Sequence, residues 1–166
     1  MSTDKTTPVS DPNRNLLRHA LATLSYRAGK TLRGAPESFA KFQIANGSRT
    51  PEQILVHIGD LFDWALSLVE GREAWQNSQP LAWSKEIDRF FRVLAEFDGY
   101  LASGQPLAAS SEQLFQGPIA DAFTHVGQIA FLRRLAGIPV EPENYFVAKI
   151  TVGRVGAEQA AAVREF

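Results

Sequence analysis

Apolar residues recur at helical spacing in four stretches of the chain, each bounded by residues that start or stop helices. The first stretch opens at Asp11-Pro12, an N-cap followed by proline at the first helical position. Leu16, Leu17, Ala20, Leu21, Leu24, Ala28 and Leu32 follow at helical intervals, and Gly34 and Pro36 end the run. "PESFAKFQIANGSR" then reads as a loop whose two phenylalanines tuck onto the helices. In "TPEQ" the second stretch has the best start signal: Thr50 as N-cap, Pro51 at the first position and Gln53 as reciprocal partner of a capping box. Ile54, Leu55, Ile58, Leu61, Phe62, Ala65, Leu66 and Val69 form a wide apolar face, and Gly71 closes it.

After the loop "REAWQNSQPLAW", the third stretch starts near Ser84 and buries Ile87, Phe90, Phe91, Leu94, Phe97 and Leu101. The fourth starts near Gly117-Pro118 and runs to Gly137, a C-terminal cap, with Arg133 and Arg134 as a solvated last turn that suits the helix dipole. The tail changes character. In "PVEPENYFVAKITVGRVG", Phe146, Ala148, Ile150 and Val152 alternate, which predicts an extended arm or short hairpin packed on the helices. The expected fold is all-α: an antiparallel four-helix bundle over residues 11–140, with residues 1–10 as a disordered lead-in and 141–166 as an arm on the bundle or on a partner subunit.

Composition narrows the chemistry. The chain of 166 residues suits one domain, and a net charge of -1 gives no basic excess for nucleic acid. With no cysteine, thiolate catalysis, disulfides and cysteine zinc sites are excluded, so any metal needs nitrogen and oxygen ligands. "MSTDKTTPVSDPN" lacks the apolar stretch of a signal peptide, and no window reaches the roughly 20 apolar residues of a membrane span. The expectation is a cytoplasmic protein with no membrane or nucleic-acid partner.

Two polar residues interrupt the fourth apolar stripe. At ~100° per residue, Asp121 and His125 point where Ile129, Leu132 and Ala136 point. A lone buried carboxylate there would cost several kcal/mol unless paired, neutralised or bound to a cation. His57 sits at the flank of the second helix, in line with Leu61, Trp64 and Leu68, and Asp60 lies nearer solvent. If the second and fourth helices both face the interior, His57, Asp121 and His125 can meet as a facial set of metal ligands with open positions. The plainer alternative is a satisfied polar pair, Asp121 accepting a hydrogen bond from His125. His19 reads as structural, and Trp64, Trp83 and Phe131 read first as packing.

The segments "ILVHIGDLFDWAL" and "DAFTHVGQIAFLRRLAGIPV", the latter with H-x-G-Q at His125–Gln128, resemble the DinB-like family of bacterial four-helix bundles. The resemblance spans about residues 11 to 140; the tail from 141 lies outside it. It implies a divalent metal (zinc, nickel, manganese or iron) held by three histidines, commonly in a homodimer. It also implies activities similar to thiol-dependent transferases and isomerases. His57 and His125 match two family ligands; Asp121 stands where the family has its remaining histidine, and Val126 replaces a common arginine.

The expected activity is that of a metal-dependent transferase, isomerase or hydrolase acting on a small molecule. With no cysteine of its own, the chain would draw any thiol from a low-molecular-weight cofactor. Gln128 and Asp60 would orient ligands from behind, Trp64 and Tyr145 would contact substrate, and the tail, with Tyr145, Lys149 and Arg154, would cover the open end. The alternative is a non-catalytic dimeric bundle with a vestigial or absent metal site. Phe62, Trp64, Phe90, Phe91 and Phe97, more aromatics than one bundle is expected to bury, lend the homodimer some support.

Overall fold

A computed structural model describes residues 11–166, so the expected lead-in at 1–10 lies outside the described residues. The four helical stretches form. Helix α1 spans Pro12–Leu32 and α2 spans Pro51–Val69. Helix α3 spans Trp83–Ala102. The last helix, α4, is composite: an opening turn Ser111–Leu114, a π-helical turn Phe115–Ile119 and a main run Ala120–Leu135. Short 3₁₀ turns lie at Glu37–Lys41 and Tyr145–Val147. No described helix is long and apolar enough to cross a membrane.

Local chemistry explains two of the starts. Asp11 Oδ1 accepts from the amides of Asn13 at 3.0 Å and Arg14 at 3.3 Å. Thr50 and Gln53 make the reciprocal capping box, with the Gln53 side chain 2.9 Å from the Thr50 amide. Helix α3 has no cap of its own. Glu37, far away in the first loop, accepts from the Trp83 amide at 3.0 Å, and Glu86 reaches back to the Leu81 amide at 3.2 Å.

Helix α4 corrects the expected start at Gly117-Pro118. It begins at a second capping box, Ser110 with Gln113, six residues earlier than that reading placed it. Pro118 then lies inside the helix, within the π turn. Proline has no N–H to give the fourth carbonyl before it, and its ring crowds that carbonyl; widening the ladder locally relieves both.

Helix α1 packs on α3 and α4, and α2 packs on the same two. The core between them is dominated by Leu21, Phe62, Phe90, Leu94, Phe97 and Ile129, all at most 1% exposed. At roughly 1.5–3 kcal/mol per buried large apolar side chain, this layer drives the assembly. Phe91 is buried and Trp64 half-buried, so a single chain buries the aromatics expected to need a partner. They give no support to a dimer.

Two charged residues are placed differently from expectation. Arg133 is buried rather than solvated: it donates to the carbonyls of Thr31 at 2.8 Å, Arg33 at 2.9 Å and Ile138 at 2.9 Å. It thereby caps the open C-terminal end of α1, and burial lowers its pKa. Asp60 is 3% exposed, on the α3 side of α2, where Arg89 takes its carboxylate at 2.5 Å. Arg89 also pairs with Asp63 at 2.7 Å and Glu86 at 3.1 Å. Gly59 makes room for it, since a Cβ there would sit 2.8 Å from Arg89 Nη1.

The tail forms neither hairpin nor alternating strand. Phe146 is 97% exposed, and the only bridge among the described residues is an isolated antiparallel one between Glu143 and Glu165. The arm is instead tied to α1 by polar contacts. Tyr26 donates to Glu143 at 2.6 Å, Lys30 reaches Glu143 at 2.9 Å and Glu165 at 2.7 Å, and Ser25 donates to the Gly156 carbonyl at 3.2 Å. Burial and the Glu143 carboxylate push the Tyr26 hydroxyl up to about 12. Val155 is the one tail residue that enters the core.

Candidate metal centre

Asp121 and His125 lie one turn apart on α4, and His57 lies on α2, which packs against it. One ligand atom from each falls within 4.8 Å of the others. His57 Nε2 is 3.4 Å from Asp121 Oδ2, and His125 Nε2 is 3.4 Å from Asp121 Oδ1. The two imidazoles stand nearly perpendicular, with centroids 4.7 Å apart. Donor–metal bonds of about 2.0–2.1 Å in a tetrahedron put neighbouring donors about 3.3–3.4 Å apart. The two 3.4 Å separations match that spacing but involve different Asp121 oxygens, and one donor from each of the three residues lies within 4.8 Å of the others, so the group could hold a divalent ion.

His125 Nδ1 is 2.7 Å from Gln128 Oε1. An amide oxygen accepts only, so the ring proton of a neutral His125 sits on Nδ1 and Nε2 presents its lone pair to Asp121. A cation, or a second ring proton on Nε2, would satisfy both atoms of that 3.4 Å contact. The polar pair, Asp121 accepting from His125, needs a proton on Nε2, which stands 3.4 Å from Oδ1. Gln128 thus contacts the ring nitrogen of His125 that does not face Asp121.

Asp121 is half-exposed, its side chain 45% accessible, so the expected penalty of a buried carboxylate does not arise. His57 is more enclosed. Burial lowers its pKa, His125 and Arg49 push the same way, and Asp121 opposes them without reversing the shift. A neutral imidazole is the metal-binding form.

An imidazole less basic folded than unfolded adds stability above the unfolded pKa, near 6.5. That contribution is lost as pH falls through the lower folded value. Metal-free protein should therefore weaken as pH drops below about 6.5, and His57→Asn should flatten the dependence. Urea unfolding between pH 7.5 and 5 reads this directly; an unchanged slope in the variant would refute the assignment.

Two clefts flank the three side chains. On the Asp121 side, Leu61, Trp64, Gln116, Gly117, Ala120 and Thr124 line a space of about 410 Å³. Trp64 therefore shares this cleft with Asp121, and Trp75 bridges it to His57, with ring centroids 5.8 Å from Trp64 and 5.7 Å from His57. On the His125 side a cleft of about 400 Å³ is lined by Ile44, Arg49, Gln128 and Phe131 among others.

Other expected participants lie elsewhere. Asp60 is held by Arg89 and by the Ser78 amide at 2.9 Å, so it does not back up His57. Tyr145 packs edge-on against Tyr26 at 6.3 Å and lies 4.2 Å below the Arg27 guanidinium. It shares a separate cleft with Phe123, Val126 and Ala130, on the other face of α4 from His125. The tail is anchored on α1, and Arg154 is spent on the Glu158 carbonyl at 2.9 Å, so the tail does not cover the centre. Lys149 and His19 are exposed, and neither belongs to the ligand group. Sequence reasoning missed Arg49 and Trp75 because both sit in loops, where no periodicity reports which way a side chain faces.

Comparison with protein-family models, curated proteins and solved structures finds no match to this chain.

Proposed function

We propose that the chain is a divalent-metal-dependent enzyme acting on a small molecule, an antiparallel four-helix bundle of the DinB-like kind, with His57, Asp121 and His125 as ligands. The single observation that carries this reading is the convergence of three donor atoms within 4.8 Å, with the His125 proton drawn away by Gln128. Two imidazoles and one carboxylate suit zinc, nickel, manganese or iron(II) and leave coordination positions for water and substrate. A bound ion would supply Lewis acidity, polarising a substrate and easing its deprotonation.

The chain's own residues do the rest. Gln128 holds the His125 ring in the ligating tautomer. Asp121, half-exposed, lines the cleft beside Trp64 and offers a second oxygen as a proton acceptor when one oxygen is a ligand. Trp64 and Trp75 shield one side of His57 from water. Thiol transfer, isomerisation and hydrolysis all fit this machinery, and a thiol would enter as a low-molecular-weight co-substrate because the chain has no cysteine. The support for a homodimer is the apolar surface left uncovered, Phe146 above all.

Protein purified without a metal-affinity tag, then incubated with zinc, nickel, manganese and iron(II) separately and desalted, should carry about one ion per chain by elemental mass spectrometry. No ion retained under any of these conditions would overturn the reading in favour of a non-catalytic bundle.

A further inference from the structure

The cleft on the His125 side contains a cation with no carboxylate partner among the described residues. Arg49 lies immediately before Thr50, whose amide is held by Gln53, and after Ser48, whose carbonyl accepts from Gln43 at 2.6 Å. Its backbone is thus pinned at both sides. Among the described residues no carboxylate lies within ion-pair distance of Arg49; the same holds of Arg27, Arg33, Arg134, Arg154 and Arg164, but Arg49 alone of these lines the His125 cleft.

The walls beside it are apolar and open to solvent: Ile44 is 54% exposed and Phe131 53% exposed. His125 and Gln128 form the inner side of the same cleft, of about 400 Å³. With a divalent ion and one aspartate, the centre carries a net positive charge, and Arg49 adds to it. The acids on α2 are already taken: Glu52 by Lys41 at 2.6 Å, and Asp60 and Asp63 by Arg89. A positive cleft with apolar walls selects an anion that has an apolar body.

We propose that the substrate of this centre is a small organic carboxylate, held by the Arg49 guanidinium with its apolar body against Ile44 and Phe131. This rests on the metal-centre reading for its chemistry, though the pairing itself needs only Arg49. A planar guanidinium fork matches a carboxylate in two parallel hydrogen bonds and leaves the reactive part of the molecule directed toward His125.

Phenylacetate, its neutral counterpart phenylacetamide and inorganic phosphate serve as probes. Binding is followed by calorimetry and by amide chemical shifts, on metal-loaded and on chelator-treated protein. Phenylacetate should bind wild type at least about 10-fold more tightly than phenylacetamide, and Arg49→Gln should weaken it about 10–100-fold with unchanged melting temperature and metal content. Arg49→Lys should recover part of the loss.

Equal phenylacetate binding by wild type and Arg49→Gln, or none by wild type, overturns the proposal. Phosphate binding as tightly as phenylacetate overturns the choice of a carboxylate. Absence of metal uptake with Arg49-dependent phenylacetate binding would sink the metal centre and leave the anion cleft standing. Metal uptake with Arg49-independent binding would do the reverse.

Discussion

Arg89→Met is expected to destabilise the fold by about 3–5 kcal/mol, the range for stranding buried charges by removing their partner. Methionine keeps most of the length of the side chain and removes the charge. Glu86 and Asp60 are almost fully buried, and both are paired to this one guanidinium together with Asp63. Burial by itself would lower the Arg89 pKa, but hydrogen bonds to Asp60, Asp63 and Glu86 outweigh it and raise the value, so the guanidinium stays charged. Without it, three acids face one another across α2 and α3 in a poorly solvated seam. Chemical unfolding at neutral pH measures the loss, and adding Glu86→Gln and Asp60→Asn should recover part of it. A loss below about 1 kcal/mol would mean that the cluster is solvated and the seam held by apolar packing alone.

His125→Ala should abolish stoichiometric metal binding, whereas Gln128→Leu should weaken it by about 10–100-fold, the usual effect of losing a partner that orients a ligand. The two variants separate the roles. In the proposed centre His125 would offer Nε2 to the ion, and Gln128 would act only through Nδ1, 2.7 Å away. Competition with a chromophoric chelator gives both affinities, and melting temperature shows whether the fold persists. Gln128 is exposed, so its replacement should leave stability nearly unchanged. If His125→Ala keeps wild-type metal content, the ion is held elsewhere and the proposed centre is wrong. If Gln128→Leu has no effect, the ring is oriented by packing and not by the amide.

Much of the candidate site was legible in the sequence. Asp121 and His125 share a stripe because four residues make about one helical turn, a property of any α-helix. His57 was identifiable as a polar residue on the flank of an apolar face, and Gln128 as a neighbour one turn past His125. That helices α2 and α4 pack together and close the triad is a matter of tertiary structure. So is the exposure of Asp121, which periodicity alone placed in the interior. Asp60 shows the opposite error. It was assigned to solvent because its wheel position leaves the main apolar face, yet a second helix covers that flank and supplies Arg89.

The sequence by itself determined the four helices, two of their caps and the side of α4 that carries the polar pair. These follow from backbone hydrogen bonding and residue spacing within one segment. Tertiary structure decided that Pro118 sits inside a helix, that Arg133 caps a different helix, that the tail runs along α1, and that Arg49 faces the His125 cleft. Each of these depends on a partner distant along the chain, such as the Thr31 carbonyl for Arg133 or Tyr26 for Glu143. A residue's spacing reports which way it points from its own helix. It does not report what the rest of the chain brings to meet it.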